Sequence, residues 1–234
     1  MTLRWSPGYA AVDADFDNVS LLLHGDGTNG STTIVDNSPT PKTVTTVGDA
    51  QISTAQSKFG GASIAFDGGG DYLTIPSQSA FDFGTNDFTI EFWWRATAGS
   101  SGGLVDLGFN YGGIGIYQST SLRVRAAGID EINVALFSLN QWVHVALSRS
   151  STSLRLFFDG IQQGATVSNS TNLSNSFANI AVGAFVSGGS YFATPAAYID
   201  DLRITKGIAR YTANFTPPTA PFPDLSPTTR LAIP

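Results

Sequence analysis

Apolar and polar residues alternate with a period of two along most of this chain, the pattern of strands with one face in a core. In Phe88-Thr89-Ile90-Glu91-Phe92-Trp93-Trp94-Arg95, Phe88, Ile90, Phe92 and Trp94 share one face, and Thr89, Glu91, Trp93 and Arg95 share the other. Leu122-Arg123-Val124-Arg125 alternates in the same way, and Trp142–Arg149 points Val143, Val145 and Leu147 inward. Leu154–Phe158 leads through Asp159-Gly160 into a return strand at Gln162–Val167. Asp-Gly between two strand patterns predicts a type I′ hairpin, because both turn residues need positive φ. About a dozen such segments recur between turn residues. Helical periodicity is confined to one short turn around Ile208–Tyr211.

Many short strands joined by turns predict an all-β, antiparallel β-sandwich. Composition sharpens this. Charged residues make up only 13% of the chain, about half the usual fraction, and 25 glycines supply turns. A length of 234 residues suits one such domain. Six of the eleven prolines lie between Pro217 and Pro234. Proline cannot donate to a ladder, so this end is expected to be extended, either wrapping the domain or linking it to a partner. The expected division is a lead-in at 1–17, a sandwich at 18–222 and a tail at 223–234.

Charge and residue types narrow the functions. A net charge of −6 repels phosphate backbones and anionic bilayers, which argues against nucleic acid and membrane surfaces as partners. The apolar run Val19–Leu23 is too short to cross a membrane. Met1-Thr2-Leu3-Arg4-Trp5-Ser6-Pro7 lacks a signal-peptide core, so export by the usual route is not expected. The absence of cysteine excludes disulfide scaffolds and thiolate zinc sites.

An ordered series of motifs resembles a known family. Val19–Gly30, with Leu21-Leu22-Leu23-His24-Gly25-Asp26-Gly27, is similar to the opening strand and loop of laminin G-like, concanavalin A-like jelly-roll domains, as found in phage tail and virion proteins. Asp36-Asn37-Ser38, Phe59-Gly60-Gly61-Ala62-Ser63, Phe66-Asp67-Gly68, Phe88–Trp93, Trp142–Leu147, Leu156–Gly160 and Tyr198–Ile204 follow in the family's order over residues 18–222. The resemblance implies a jelly roll and points to glycan recognition. It also implies a structural calcium ion (Ca²⁺) between the opening loop and the closing strand. Its ligands would be Asp26, Asp200, carbonyls near Gly30 or Ser38, and secondarily Asp36.

A separate argument bears on Asp200. If Leu202 and Ile204 face the core, period two places Asp200 on the same side, and a buried carboxylate needs a partner. That partner is a cation, backbone N–H groups, or an Arg or Lys. Asp67 and Asp71 are expected to shape a glycine-rich turn.

Candidate sugar contacts are Tyr111 with Asn110, and Tyr191 with Phe192, all in polar glycine-rich loops. Loops on a rigid sandwich carry recognition, although the same rings could instead lid the ends of the core. Trp93 and Phe157 fall on nominally polar strand faces and are expected to be buried under extra loops rather than to line a binding sheet. Arg123 and Arg125 project from one face, as a solvated pair or a grip for an acidic sugar. His144 is expected to be a satisfied surface residue.

Catalysis is not expected. Related glucanases carry Glu-x-Asp-x-x-Glu on one strand, because retaining chemistry needs two carboxyls about 5 Å apart. The nearest match, Gly128–Asn133, has Gly128 and Asn133 where that pattern has its glutamates, and Glu91 stands alone on its strand.

The reading is a non-catalytic carbohydrate-recognition module of a phage virion or tail, released by lysis. It would bind host-surface polysaccharide and assemble with other virion subunits or copies of itself. The alternative is a structural virion protein that uses the jelly roll as a scaffold.

Overall fold

A computed structural model describes residues 11–227 except 78, 100, 194 and 195. The Trp5-Ser6-Pro7 part of the lead-in and the tail beyond residue 227 lie outside the described residues.

Seventeen strands are present among the described residues, more than the pattern of alternation suggests. They are β1 (Val19–Leu23), β2 (Thr45–Val47), β3 (Gln51–Ser53), β4 (Ser63–Phe66), β5 (Tyr72–Pro76), β6 (Phe88–Ala96), β7 (Gly102–Leu107), β8 (Ile114–Gln118) and β9 (Leu122–Ala126). β10 (Ile129–Val134), β11 (Val143–Ser150), β12 (Ser153–Phe158), β13 (Ile161–Ser168), β14 (Asn179–Val182), β15 (Ala184–Ser187), β16 (Ser190–Ala193) and β17 (Ala197–Lys206) complete the set. The extra strands are short or glycine-containing, such as Ile114-Gly115-Ile116-Tyr117-Gln118, where alternation has few residues in which to show.

The strands form two antiparallel sheets packed face to face. The large sheet runs β13-β12-β11-β6-β17-β4-β3, with β1 pairing the far half of β17. The small sheet runs β10-β9-β8-β7-β14-β5-β2, and β15-β16 form a separate two-stranded hairpin. Phe88, Ile90, Phe92, Trp94, Val143, Val145 and Leu147 meet Leu73, Ile75, Val105, Ile116, Val124 and Ile180 in one continuous core, as the alternation requires. Asp159 and Gly160 have φ of 46° and 77° and join Phe158 to Ile161 across a two-residue turn. The expected type I′ hairpin therefore forms.

No helical turn forms at Ile208–Tyr211. That segment is clamped to the large sheet instead. Thr89 Oγ1 donates to the Ile208 carbonyl, and the Arg210 N–H donates to Thr89 Oγ1. Tertiary hydrogen bonds thus override a weak local periodicity. Short 3₁₀ turns form elsewhere, at Phe16–Asn18, Ser79–Phe81 and Phe109–Tyr111.

β17 departs from period two in a way that matters. Its register against β6 shifts between Asp200 and Arg203, and Asp201 has φ of +54°, a conformation that Asp tolerates better than most residues. This is a β-bulge. It leaves Ile199, Leu202 and Ile204 in the core but pairs Asp200 with Trp93 and Arg203 with Glu91. Asp200 is therefore buried on the outer face of the sheet, not on the core side that unbroken alternation predicts.

The outer face of the large sheet is covered by the two terminal segments. The Asp13 N–H donates to the Leu225 carbonyl, and Phe222 packs with Phe16, Val19 and Leu22 in a second small core. The proline-rich stretch therefore wraps the domain as far as it is described. Trp93 and Phe157 are buried beneath this layer, as expected. His144 is buried too, rather than lying at the surface. It sits among the rings of Trp93, Tyr211, Phe215 and Phe222.

Candidate functional site

The outer face of the small sheet is built differently. The chain leaves β14 at Gly183 and turns back as the β15-β16 hairpin, which lies flat across β7 and β8. Glycine permits this approach: a Cβ on Gly103 would stand 2.1 Å from the Ala184 carbonyl carbon. A Cβ on Gly115 would stand 2.5 Å from the Phe109 ring, so that ring rests directly on the sheet. Asp106 ties the pieces together. Its carboxylate accepts N–H bonds from Gly108, Phe109 and Val186. Burial pushes its carboxyl up to about 6, against these donors, which favour the charged form.

Side chains alternate across the hairpin, and each face carries rings. Tyr191 stacks on Tyr72 at 4.6 Å and 16° and meets Phe177 edge-on. Phe177 in turn lies 4.8 Å from Tyr111. The Gly189 N–H donates to Tyr111 Oη, and Asn110 Nδ2 donates to the Val186 carbonyl. On the other hairpin face Phe192 stacks on Phe185 at 5.0 Å and 13°. Phe185 leads to Phe109 and Tyr117, which stack on each other at 5.3 Å. Phe192 is the outermost ring, 47% exposed. The structure thus brings Asn110, Tyr111, Tyr191 and Phe192 to one place.

Beyond Tyr117 the aromatic row meets charge. Tyr117 Oη donates to Asp130 at 3.0 Å, and Arg123 Nη1 donates to the same carboxylate at 2.9 Å. Arg125 Nε stands 3.4 Å from Asp130, and the guanidinium faces the Phe109 ring. All three charged side chains are about one-third exposed.

Sequence reasoning missed Tyr72, Phe109, Tyr117, Phe177 and Phe185. A usable signal exists for the hairpin: Gly188-Gly189 lies between Phe185-Val186 and Tyr191-Phe192, and Gly-Gly flanked by strand residues favours a two-residue turn. The stacking partners from distant segments carry no such local mark.

The proposed calcium ligands separate into two places. Asp36 is buried and accepts from the Leu22, Ser38 and Lys42 N–H groups and from Ser38 Oγ. Lys42 Nζ stands 3.9 Å from it. Asp200 and Asp26 lie near His24 and Asp201. Asp200 Oδ2 accepts the Lys58 and Phe59 N–H groups. Burial, then the nearby Asp201 and Asp26, push the Asp200 carboxyl up to about 7. Asp26 is exposed. His24 Nδ1 stands 2.6 Å from Asp201 Oδ1, while Asp201 Oδ2 accepts the Phe222 N–H. Among the described residues no three His, Cys, Asp or Glu side chains stand grouped to hold a metal. Asp67 and Asp71 shape the turn before β5 by accepting backbone N–H bonds.

Glu91 is fully buried under the terminal segments. Arg203 Nε and Nη2 donate to Oε1, and Tyr211 Oη donates to Oε2. Arg203 and Arg210 also bind Asp13. Burial pushes the Glu91 carboxyl up, but the Arg203 charge, with His144 and Arg210, more than reverses this and holds it at about 2. His144 Nε2 stands 3.3 Å from Glu91 Oε2, yet neither ring nitrogen is hydrogen-bonded. Asp130 is engaged by Tyr117 and two arginines, and Glu131 Oε1 accepts from Asn169.

Two antiparallel sheets packed face to face in this strand order form a jelly-roll β-sandwich. The chain belongs to the concanavalin A-like lectin/glucanases superfamily, whose laminin G-type family model matches residues 67–209. Solved structures with the same fold include botulinum neurotoxin type C, from work on its interaction with two ganglioside molecules (TM-score 0.62, 17% identity over 83% of this chain and 49% of that one). The binding domain of Paraclostridial Mosquitocidal Protein 1 is similar at TM-score 0.62 and 18% identity, covering 82% of this chain and 50% of that one. The binding domain of botulinum neurotoxin DC, in complex with SialylT, is similar at TM-score 0.60 and 16% identity, covering 82% and 49%. The chain spans about half the length of these structures. No curated protein matches it in sequence. Among the described residues no helix is long and apolar enough to cross a membrane.

Proposed function

We propose that this chain is a non-catalytic carbohydrate-recognition module. Its binding surface is the β15-β16 hairpin with the Phe109–Tyr111 turn and the outer face of β7 to β9. The observation that carries this reading is the convergence of partly buried rings from distant segments on one side of the sandwich, with Phe192 outermost and exposed. An aromatic face held by a rigid sheet stacks on the apolar face of a sugar ring, and nearby polar groups read its hydroxyls. Structures of similar fold whose subjects include ganglioside interaction and a SialylT complex favour the same reading. The resemblance to phage tail domains favours display on a virion or other extracellular assembly, where repeated copies would multiply a weak single-site affinity.

A glycan array with wild-type protein and Phe192→Ala tests the site. Binding by the wild type and loss of signal in the variant is expected. Retained binding in a folded Phe192→Ala would place the site elsewhere, and the absence of binding to any glycan would favour a scaffold role.

A structural Ca²⁺ is part of this proposal. Asp26 and Asp200 would hold it, with main-chain oxygens and water completing the oxygen shell that calcium requires. The support is Asp200, a buried carboxyl whose Oδ2 accepts two backbone N–H bonds and whose ionised form a cation would stabilise further.

A further inference from the structure

The row of rings does not end in neutral surface, and this bears on which sugars it takes. Most of the positive charge among the described residues is committed elsewhere: Arg149, Arg203 and Lys42 are buried with partners, and Arg210 binds Asp13. Lys206 Nζ donates to the Ser79 carbonyl, and Lys58 lies on the Trp93 ring. Arg123 and Arg125 differ. They stand two residues apart on the outward face of β9, each about one-third exposed, with one carboxylate between them. Two arginines against Asp130 leave a local charge of about +1 on a protein whose net charge is −6. Asp130 and Tyr117 hold the guanidinium groups in place, so little side-chain freedom remains to be lost on binding.

We infer that Arg123 and Arg125 form a subsite for the carboxylate of an acidic sugar residue, whose neighbouring residue lies on the Phe192–Phe185 rings. This rests on the recognition reading above and names its ligand class. Guanidinium groups match carboxylate geometry with paired N–H donors. Arg123 Nε and Nη1 and Arg125 Nε are occupied by protein acceptors, and the other guanidinium N–H groups of these one-third-exposed side chains remain for a ligand. Phe109 links the arginines to the rings, because Arg125 faces it at 5.8 Å and Phe185 lies 5.6 Å from the same ring.

The test compares one uronate-containing polysaccharide, the same polymer after chemical reduction of its carboxyl groups, and a sulfated polymer of similar charge density. Titration calorimetry with the full chain is run at two salt concentrations. The wild type is expected to prefer the carboxylated polymer about tenfold to a hundredfold over the reduced one, the range for lost charge-assisted hydrogen bonds, with the preference shrinking in high salt. Arg123→Gln with Arg125→Gln abolishes that preference but leaves the weaker, Phe192-dependent binding to the reduced polymer. Asp130→Asn, which raises the local charge, strengthens binding to the carboxylated polymer several-fold. Equal affinity for both polymers with binding still lost in Phe192→Ala would overturn the acidic subsite while leaving the recognition reading intact. Tighter binding of the sulfated polymer would overturn the carboxylate assignment. Weaker binding by Asp130→Asn would overturn the charge argument. Binding to none of the three by the wild type would overturn both readings.

Discussion

The two outer faces of this sandwich start from the same strand chemistry and end in opposite states. On the large sheet, Glu91, Trp93, His144 and Phe157 point outward and are then sealed beneath the terminal segments. On the small sheet, Tyr117, Arg123, Arg125 and Asp130 point outward and the three charged side chains stay about one-third open, beside a hairpin whose last ring is 47% exposed. The first face has its charges paired inside the protein, where Arg203 contacts Glu91, Asp13 and the Phe222 ring. The second keeps donors and ring faces directed at solvent. A sandwich offers two outer faces for recognition, and here the termini have taken one of them for stability.

Breaking the closed face is expected to have the largest effect. Glu91→Ala leaves Arg203 buried without its main partner, which costs about 3–5 kcal/mol, measurable by urea denaturation. Glu91→Gln separates charge from shape. The wild-type carboxyl sits at about 2 against an ordinary 4.5, so its contribution is full above about pH 4.5 and is lost as pH falls toward 2. The Gln variant should show a flatter acid limb. Next comes Phe222→Ala, which empties the second small core and removes the ring over Arg203. A loss of about 3 kcal/mol is expected, with glycan binding by the folded protein unchanged. Weakened glycan binding in folded Phe222→Ala would erase the distinction between the faces.

The contrast also explains what could be read from the sequence. The core side of β6 and β11 is a matter of local alternation, and Phe88, Ile90, Val143 and Val145 fall where period two puts them. The Asp159-Gly160 turn is likewise local. The closed face depends on contacts across nearly the whole chain, such as Asp13 with Arg203 and Arg210, so His144 could not be seen to be buried. Asp200 was misplaced because one bulge residue, Asp201, resets the alternation. Nothing in Ile199-Asp200-Asp201-Leu202 marks which residue is extra. At the candidate site Tyr111, Tyr191 and Phe192 were legible as candidate contacts, but Tyr191 and Phe192 lie in strand β16 rather than in a loop, and the stacking partners Tyr72, Phe177 and Phe185 become neighbours only when the hairpin folds over β7.

The boundary between the faces and the loops is sharpened by Asp200. Its carboxyl is raised to about 7 from 3.8, so the folded state holds the proton more tightly than the unfolded chain. Stability from this group is greatest below about pH 4 and declines as pH rises through 7. Asp200→Asn keeps an acceptor for the Lys58 and Phe59 N–H groups while removing the charge. A gain of about 1–2 kcal/mol at pH 8 is expected, less than the full linkage because water and neighbouring groups relax around the charge. Millimolar Ca²⁺ should raise the wild-type Tm at pH 8 and leave that of Asp200→Asn unchanged. Equal responses of the two proteins would remove Asp200 from the proposed calcium site.

The smallest effect on stability is expected from the residue assigned the largest role in binding. Phe192 contributes an exposed ring stacked on Phe185, and truncating a half-exposed side chain outside the core changes stability by about 0.5 kcal/mol. The Tm of Phe192→Ala should therefore match the wild type within a few degrees while its glycan binding is lost. Tyr191→Ala provides the internal control. Its ring is held between Tyr72 and Phe177, so it should lose both stability, by about 1–2 kcal/mol, and binding. If Phe192→Ala is as destabilising as Tyr191→Ala, the outer ring belongs to the packing, and the open face is less open than its exposure indicates.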